Sequence, residues 1–170
     1  FDGDNDYIET PLIPNFSLDQ SFTVEAWYKT TTSAISQRIL GVRKNFNSVT
    51  ILLGFHSPQG LHFQLREDIS NNTELFGDFS STDGYWHNVM GVFNTVSNLT
   101  VLYLDGKIID STYFNGNLID QTRKIYIGAG NMDGDPKEYF NGSIDDIRIY
   151  NIALTETEIK ELYCDGGWCS

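Results

Sequence analysis

Apolar and polar residues alternate with a period of two along most of the chain, the mark of strands with one buried face. In FTVEAWYK (22–29) one side carries Phe22, Val24, Ala26 and Tyr28, and the other carries Thr23, Glu25, Trp27 and Lys29. RILGVR, VTILLGF, LHFQLRE, HNVMGVFN and KIYIGAG are similar runs, divided by clusters of Ser, Asn, Asp and Gly. In LTVLYLDGKIIDSTYF two apolar runs flank Asp105-Gly106, a pair suited to positive φ, which predicts a tight hairpin. Such spacing predicts about ten to twelve strands in an all-β, two-sheet antiparallel sandwich. One helix is expected, in LTETEIKELY, where Thr155 as N-cap and Glu158 three residues later form a capping box and Ile159 and Leu162 supply an apolar face. Repeats, low-complexity stretches and linkers are absent from the sequence, so 1–170 reads as a single domain.

Composition narrows the classes. A chain of 170 residues, 40% hydrophobic and 14% aromatic, is long enough to bury a full core without disulfide or metal support. Its net charge of -12 argues against a nucleic-acid partner, which requires Lys and Arg to displace counterions, and against docking on anionic lipid. No run approaches the roughly 20 apolar residues of a membrane helix, so no membrane insertion is expected. Residue 1 already belongs to a folded-looking segment, FDGDNDYIE, which reads as a domain excised from a larger chain. Cys164 and Cys169 are the only cysteines, and they bracket CDGGWC. The two glycines between them suit a local disulfide and an oxidising compartment; the alternative is two free thiols on a frayed tail.

The stretch 131–138 places Asn131, Asp133, Asp135 and Glu138 around Gly134. Calcium takes six to eight oxygen ligands, and this set supplies them in a short span. It is not an EF-hand, because Pro136 falls where that loop needs Gly and Gly142 where it needs Glu. The other reading is a polar turn, rich in Asp, Asn, Gly and Pro for backbone reasons alone. A second acidic set, Asp2, Asp4 and Asp6 with Asp145 and Asp146, converges if the chain ends pair, and like charges brought together need a cation, a proton or an arginine. Tyr139, beside the first set, is the favoured aromatic for stacking on a sugar's apolar face. Paired carboxylates of glycosidase type are missing: Glu25 has no acidic partner at 23 or 27. His56 and His62 flank the turn SPQG and are placed to face one another, whereas His87, after Trp86, has a structural place at a strand start. The chain reads as a non-enzyme.

Six segments, FDGDNDYIE, FTVEAWYK, WHNVMGVFN, VLYLDGKII, IYIGAG and FNGSIDDIRIYNIALTETEIKELY, resemble in order the laminin-G-like jelly roll of the concanavalin A-like lectin/glucanase superfamily, the branch that includes pentraxins. The resemblance implies that residues 1–9 and 140–150 lie side by side. It implies calcium, either structural at the chain ends through Asp2 and Asp145, or at the rim through Asn131, Asp133, Asp135 and Glu138 with Asn47 contributed from before VTILLGF. It further implies an extracellular or cell-surface binding module whose ligand is a carbohydrate, with protein–protein adhesion or a structural spacer as alternatives.

Overall fold

The computed structural model describes residues 1–11, 20–33, 35–43, 50–68, 70–116, 118, 124–132 and 135–165. Thirteen strands and one helix are formed among them: β1 (Ile8–Glu9), β2 (Phe22–Lys29), β3 (Gln37–Arg43), β4 (Thr50–His56), β5 (Gly60–Arg66), β6 (Asn72–Phe76), β7 (His87–Asn94), β8 (Leu99–Leu104), β9 (Lys107–Tyr113), β10 (Tyr126–Ile127), β11 (Gly130–Met132), β12 (Asp135–Lys137), β13 (Ser143–Tyr150) and α1 (Glu156–Asp165). They build a six-stranded sheet in the order β1-β10-β3-β4-β5-β6 and a five-stranded sheet in the order β13-β2-β7-β8-β9, with β11 and β12 as a separate hairpin. Every pairing is antiparallel, so the expected all-β sandwich with one C-terminal helix is what forms.

The period-two pattern fixes which side chains meet between the sheets. Phe22, Val24, Ala26 and Tyr28 of β2 face Ile51, Leu53 and Phe55 of β4 and Leu61, Phe63 and Leu65 of β5 in one buried cluster. At Gly91 in β7 the approach is so close that an added Cβ would lie 2.5 Å from the Phe63 ring. A side chain there would force the sheets apart.

On the outer side of the five-stranded sheet, Met90, Val92, Val101 and Tyr103 form a second apolar cluster with Leu154 and Ile159, so α1 seals that face. The capping box that starts α1 is present: Thr155 N donates to Glu158 Oε2 at 2.7 Å and Glu158 N to Thr155 Oγ1 at 3.3 Å.

The chain ends meet more narrowly than expected. Asp2 forms one isolated bridge with Asn141, next to reciprocal bonds from the Phe1 amine to Gly142 O (3.0 Å) and from Gly142 N to Phe1 O (2.9 Å). Gly3, at φ 85°, then turns the chain away. Ile8 and Glu9 join β10 in the other sheet, and β13 pairs with β2.

Candidate functional site

Along β5, alternation sends Leu61, Phe63 and Leu65 inward and leaves His62, Gln64 and Arg66 on the outer face of the six-stranded sheet. Cross-strand register extends these into rows: Gly54–His62–Phe76, Leu52–Gln64–Glu74 and Thr50–Arg66–Asn72. Among the described residues no helix covers this face. The β11–β12 hairpin instead folds over β3, tied by Arg38 N donating to Glu138 O at 2.9 Å. Gly41 permits the contact, since a Cβ there would lie 3.0 Å from Ala129 O and 3.2 Å from the Gly130 Cα.

Under the hairpin lies Arg38, 2% exposed. Its Nε and Nη2 donate to Glu138 Oε2 and Oε1 at 2.9 and 3.2 Å, and its Nη1 donates to Phe55 O at 2.7 Å and lies 3.1 Å from His62 Nδ1. A buried guanidinium needs this degree of pairing, because an uncompensated charge in the interior is strongly destabilising. The His62 imidazole stacks on Phe76, with centroids 4.8 Å apart and planes 15° apart. Burial, followed by the positive charges of Arg38, His56 and Arg66, pushes the His62 pKa down to about 2, so the ring is neutral. Next to it a separate set forms, in which Gln64 Nε2 donates to Asn72 Oδ1 (2.9 Å) and Glu74 Oε1 (2.6 Å). Buried polar floor groups and half-open carboxylate and amide groups at the margin make a surface suited to hydrogen-bonding a polyhydroxylated ligand.

The acidic stretch is thus the hairpin itself, with Gly130 opposite Lys137, Asn131 opposite Pro136 and Met132 opposite Asp135. Glu138 is paired with Arg38, and Asp135 lies exposed 3.2 Å from Lys137 Nζ. Asn131 lies in β11, while Asp133 and Asn47 are outside the described residues. Tyr139 is half-buried against Tyr7, centroids 6.4 Å apart, and Tyr7 is the more exposed ring of the pair.

The structure does not bring Asp2 and Asp145 together. Asp2 Oδ1 accepts from Asp4 N at 2.9 Å, closing a local turn beside Asn141. Asp145 lies opposite Trp27, four residues further along, a span of about 13 Å on a strand; its Oδ1 accepts from Asp146 N at 2.8 Å. Among the described residues no three His, Cys, Asp or Glu side chains are arranged to hold a metal. Cys164 is the penultimate residue of α1, and Cys169 is outside the described residues.

His56 and His62 do face one another, at 5.2 Å between centroids. His87 has the expected structural place, with Nδ1 2.7 Å from Asp105 Oδ2 and Nε2 3.1 Å from Asp83 Oδ1. Burial alone would lower its pKa; the two carboxylates outweigh burial and raise it.

Sequence reasoning passed over Arg38, Gln64 and Glu74. Arg38 and Gln64 stand in RILGVR and LHFQLRE, which the pattern reads only as strands, and Glu74 in a stretch it does not single out; the available signal was their polar place in the alternation.

The family model described as the concanavalin A-like lectin/glucanases superfamily matches residues 2–160. A comparison with curated proteins finds no match. Among solved structures, the CBM40 of the Ruminococcus gnavus IT-sialidase bound to α2,3-sialyllactose is similar at TM-score 0.73 and 17% identity, covering 92% of this chain and 98% of that one. The native heptameric SAP-like pentraxin from Limulus polyphemus is similar at TM-score 0.72 and 18% identity, covering 96% and 79%. The leech intramolecular trans-sialidase is similar at TM-score 0.73 and 16% identity, covering 96% of this chain and 28% of that one. With the family model spanning nearly its whole length over a jelly-roll sandwich, the chain belongs to the concanavalin A-like lectin/glucanases superfamily.

Proposed function

We propose that this domain is a non-catalytic, extracellular carbohydrate-binding module that takes its ligand on the outer face of the six-stranded sheet, beside the β11–β12 hairpin. The observation that carries the reading is two neighbouring hydrogen-bonded sets, Arg38–His62 and Asn72–Gln64–Glu74, laid across adjacent strands on a face that α1 does not cover, with His62 Nε2 4.0 Å from Glu74 Oε1. The CBM40 bound to sialyllactose supports a sugar as the ligand, through its similarity in fold. Glu25, the buried carboxylate among the described residues, sits on the opposite sheet, held by Tyr150 and Asn88, away from this face.

Calcium belongs to the proposal at the hairpin only. The chain-end pair does not fit an ion, because Asp2 and Asp145 lie apart, and Glu138 is committed to Arg38. Asp135 remains, with Asn47, Asn131 and Asp133 as the other candidates. A bound calcium would supply a hard cation that sugar hydroxyls can ligate. A Cys164–Cys169 disulfide and an oxidising, extracellular setting complete the reading.

The test is a glycan array of neutral and sialylated oligosaccharides, probed with the protein in calcium and again in EDTA, beside Gln64→Ala. Binding that Gln64→Ala removes while its near-UV circular dichroism stays native is the expected result; loss in EDTA assigns the calcium role. Adhesion to another protein is the second reading. It is favoured by the exposed Ile108, Ile109 and Tyr113 of edge strand β9, and a silent array beside β9-dependent capture of a protein partner would replace the first reading with it.

A further inference from the structure

The open face holds a buried donor without an acceptor. Arg38 can only donate, so at 3.1 Å it makes His62 Nδ1 an acceptor, and the neutral ring carries its proton on Nε2. Nε2 has no hydrogen-bond partner, in a side chain 1% exposed. A buried N–H left unmatched costs stability, and such groups in native proteins point to a function or to a missing partner. Glu74 Oε1 lies 4.0 Å from Nε2, beyond hydrogen-bond reach. An oxygen atom bridging the two would lie about 2.8 Å from each, in space that the half-exposed Glu74 side chain has to open, because Nε2 itself is closed to solvent.

The surroundings hold both groups in place. Phe76 stacks on the imidazole and fixes its plane, and Gln64 Nε2 anchors Glu74 Oε1 at 2.6 Å. The Glu74 side chain is 34% exposed on edge strand β6, so it forms the movable outer wall of the gap. Arg38 does not compete for the ligand: Glu138 takes its Nε and Nη2, and Phe55 O and His62 take its Nη1.

We propose that His62 Nε2–H and Glu74 Oε1 together hold one alcohol hydroxyl of the ligand, which accepts from the histidine and donates to the carboxylate. The inference rests on the carbohydrate reading and sharpens it. A ligand carboxylate would satisfy His62 but meet Glu74 charge to charge. A ligand ammonium would pair with Glu74 and leave the histidine donor unmatched. Any acidic group on the glycan therefore binds away from this pair, and neutral sugars engage it as well as sialylated ones do.

The test titrates wild-type protein with lactose, with α2,3-sialyllactose and with the strongest ligand from the array, by calorimetry and by long-range 1H–15N spectra of the histidine rings. Free protein should show His62 as the Nε2–H tautomer, and saturation with sugar should shift His62 Nε2. Glu74→Ala, a change at an edge strand, should weaken binding by about tenfold, the loss of one charge-assisted hydrogen bond. Glu74→Gln, whose amide oxygen still accepts, should weaken it less. Binding with His62 Nε2 unmoved and Glu74→Ala unimpaired overturns this inference and leaves the carbohydrate reading standing. A silent array with no binding of either lactose probe sinks both.

Discussion

Among the described residues, the two sheets of this sandwich each bury one charged side chain on their outer face, Glu25 and Arg38, and they deal with it in opposite ways. Glu25 on the five-stranded sheet is fully buried, and Tyr150 OH (2.8 Å), Asn88 Nδ2 (3.1 Å) and Arg148 Nη1 (3.4 Å) satisfy it. The apolar cluster built by α1 then seals much of that face, and Asn88 Oδ1 is left unpaired on the covered side. Arg38 on the six-stranded sheet lies, among the described residues, under the narrow β11–β12 hairpin, and polar side chains follow across the face to Asn72 and Glu74 at the β6 edge. A helix closes its sheet with hydrophobic area; on the other sheet Arg38, His62 and Gln64 are buried as well, and the polar side chains reach solvent at the β6 edge, through Asn72 and Glu74. On the proposed reading, similar burial of charge serves stability on one side and recognition on the other.

Breaking each cover tests this division. Ile159, fully buried at the centre of the α1 contact, should cost about 3 kcal/mol on substitution by Ala, the ordinary penalty for such a cavity. That corresponds to a fall in Tm of roughly 6–12 °C for a chain of this size. Glycan affinity of the folded Ile159→Ala protein should stay within twofold; a parallel loss of affinity would show that the faces are coupled. Glu138→Ala is the counterpart on the open face. It strips the bidentate partner from a guanidinium 3% exposed, for about 2 kcal/mol, less than a fully buried pair because Glu138 itself is 30% exposed. Here both stability and glycan binding should drop, since Arg38 positions His62. Unchanged binding in calorimetry, with the lowered Tm, would separate the hairpin from the site.

This asymmetry was partly legible in the sequence. Period-two alternation in FTVEAWYK and LHFQLRE gave the strands and the inward faces, the Asp105-Gly106 pair gave the β8–β9 hairpin, and the capping box located the start of α1. The site was harder, because alternation says which residues share a face and not what covers it. Arg38 and Glu138 are a hundred residues apart in the chain, and nothing local marks them as partners. The same limit applies to the acidic residues. Asp2 and Asp145 are both near the ends that meet, but the chain turns away at Gly3 before the two carboxylates can converge. Acidity in 131–138 is visible in the composition, whereas the diversion of Glu138 to a buried arginine depends on the tertiary fold.

The smallest effect expected is a pair of opposite pH slopes, from two histidines in contrasting settings. His62 on the open face is held neutral by burial and by the positive charge of Arg38, His56 and Arg66, with its folded pKa down to about 2 against about 6.5 unfolded. The stability tied to its neutral form is therefore present above about pH 6.5 and drains as pH falls toward the folded value. For His87, burial lowers the pKa, but Asp105 and Asp83 outweigh it, and the folded value lies above the unfolded one. Its contribution is fully present below about pH 6.5 and is lost as pH rises through the folded value. Urea unfolding of wild type, His62→Gln and His87→Gln across pH 5 to 9 reads both slopes, with differences between proteins cancelling the carboxylates common to all three. The wild-type advantage over His87→Gln should shrink on the alkaline side, and that over His62→Gln on the acidic side. Parallel curves would mean that neither ring changes its proton affinity on folding. Reversed slopes for His62 alone would mean that it is charged in the native state, in which case Arg38 could not donate to Nδ1 and the open face would need a different hydrogen-bond assignment.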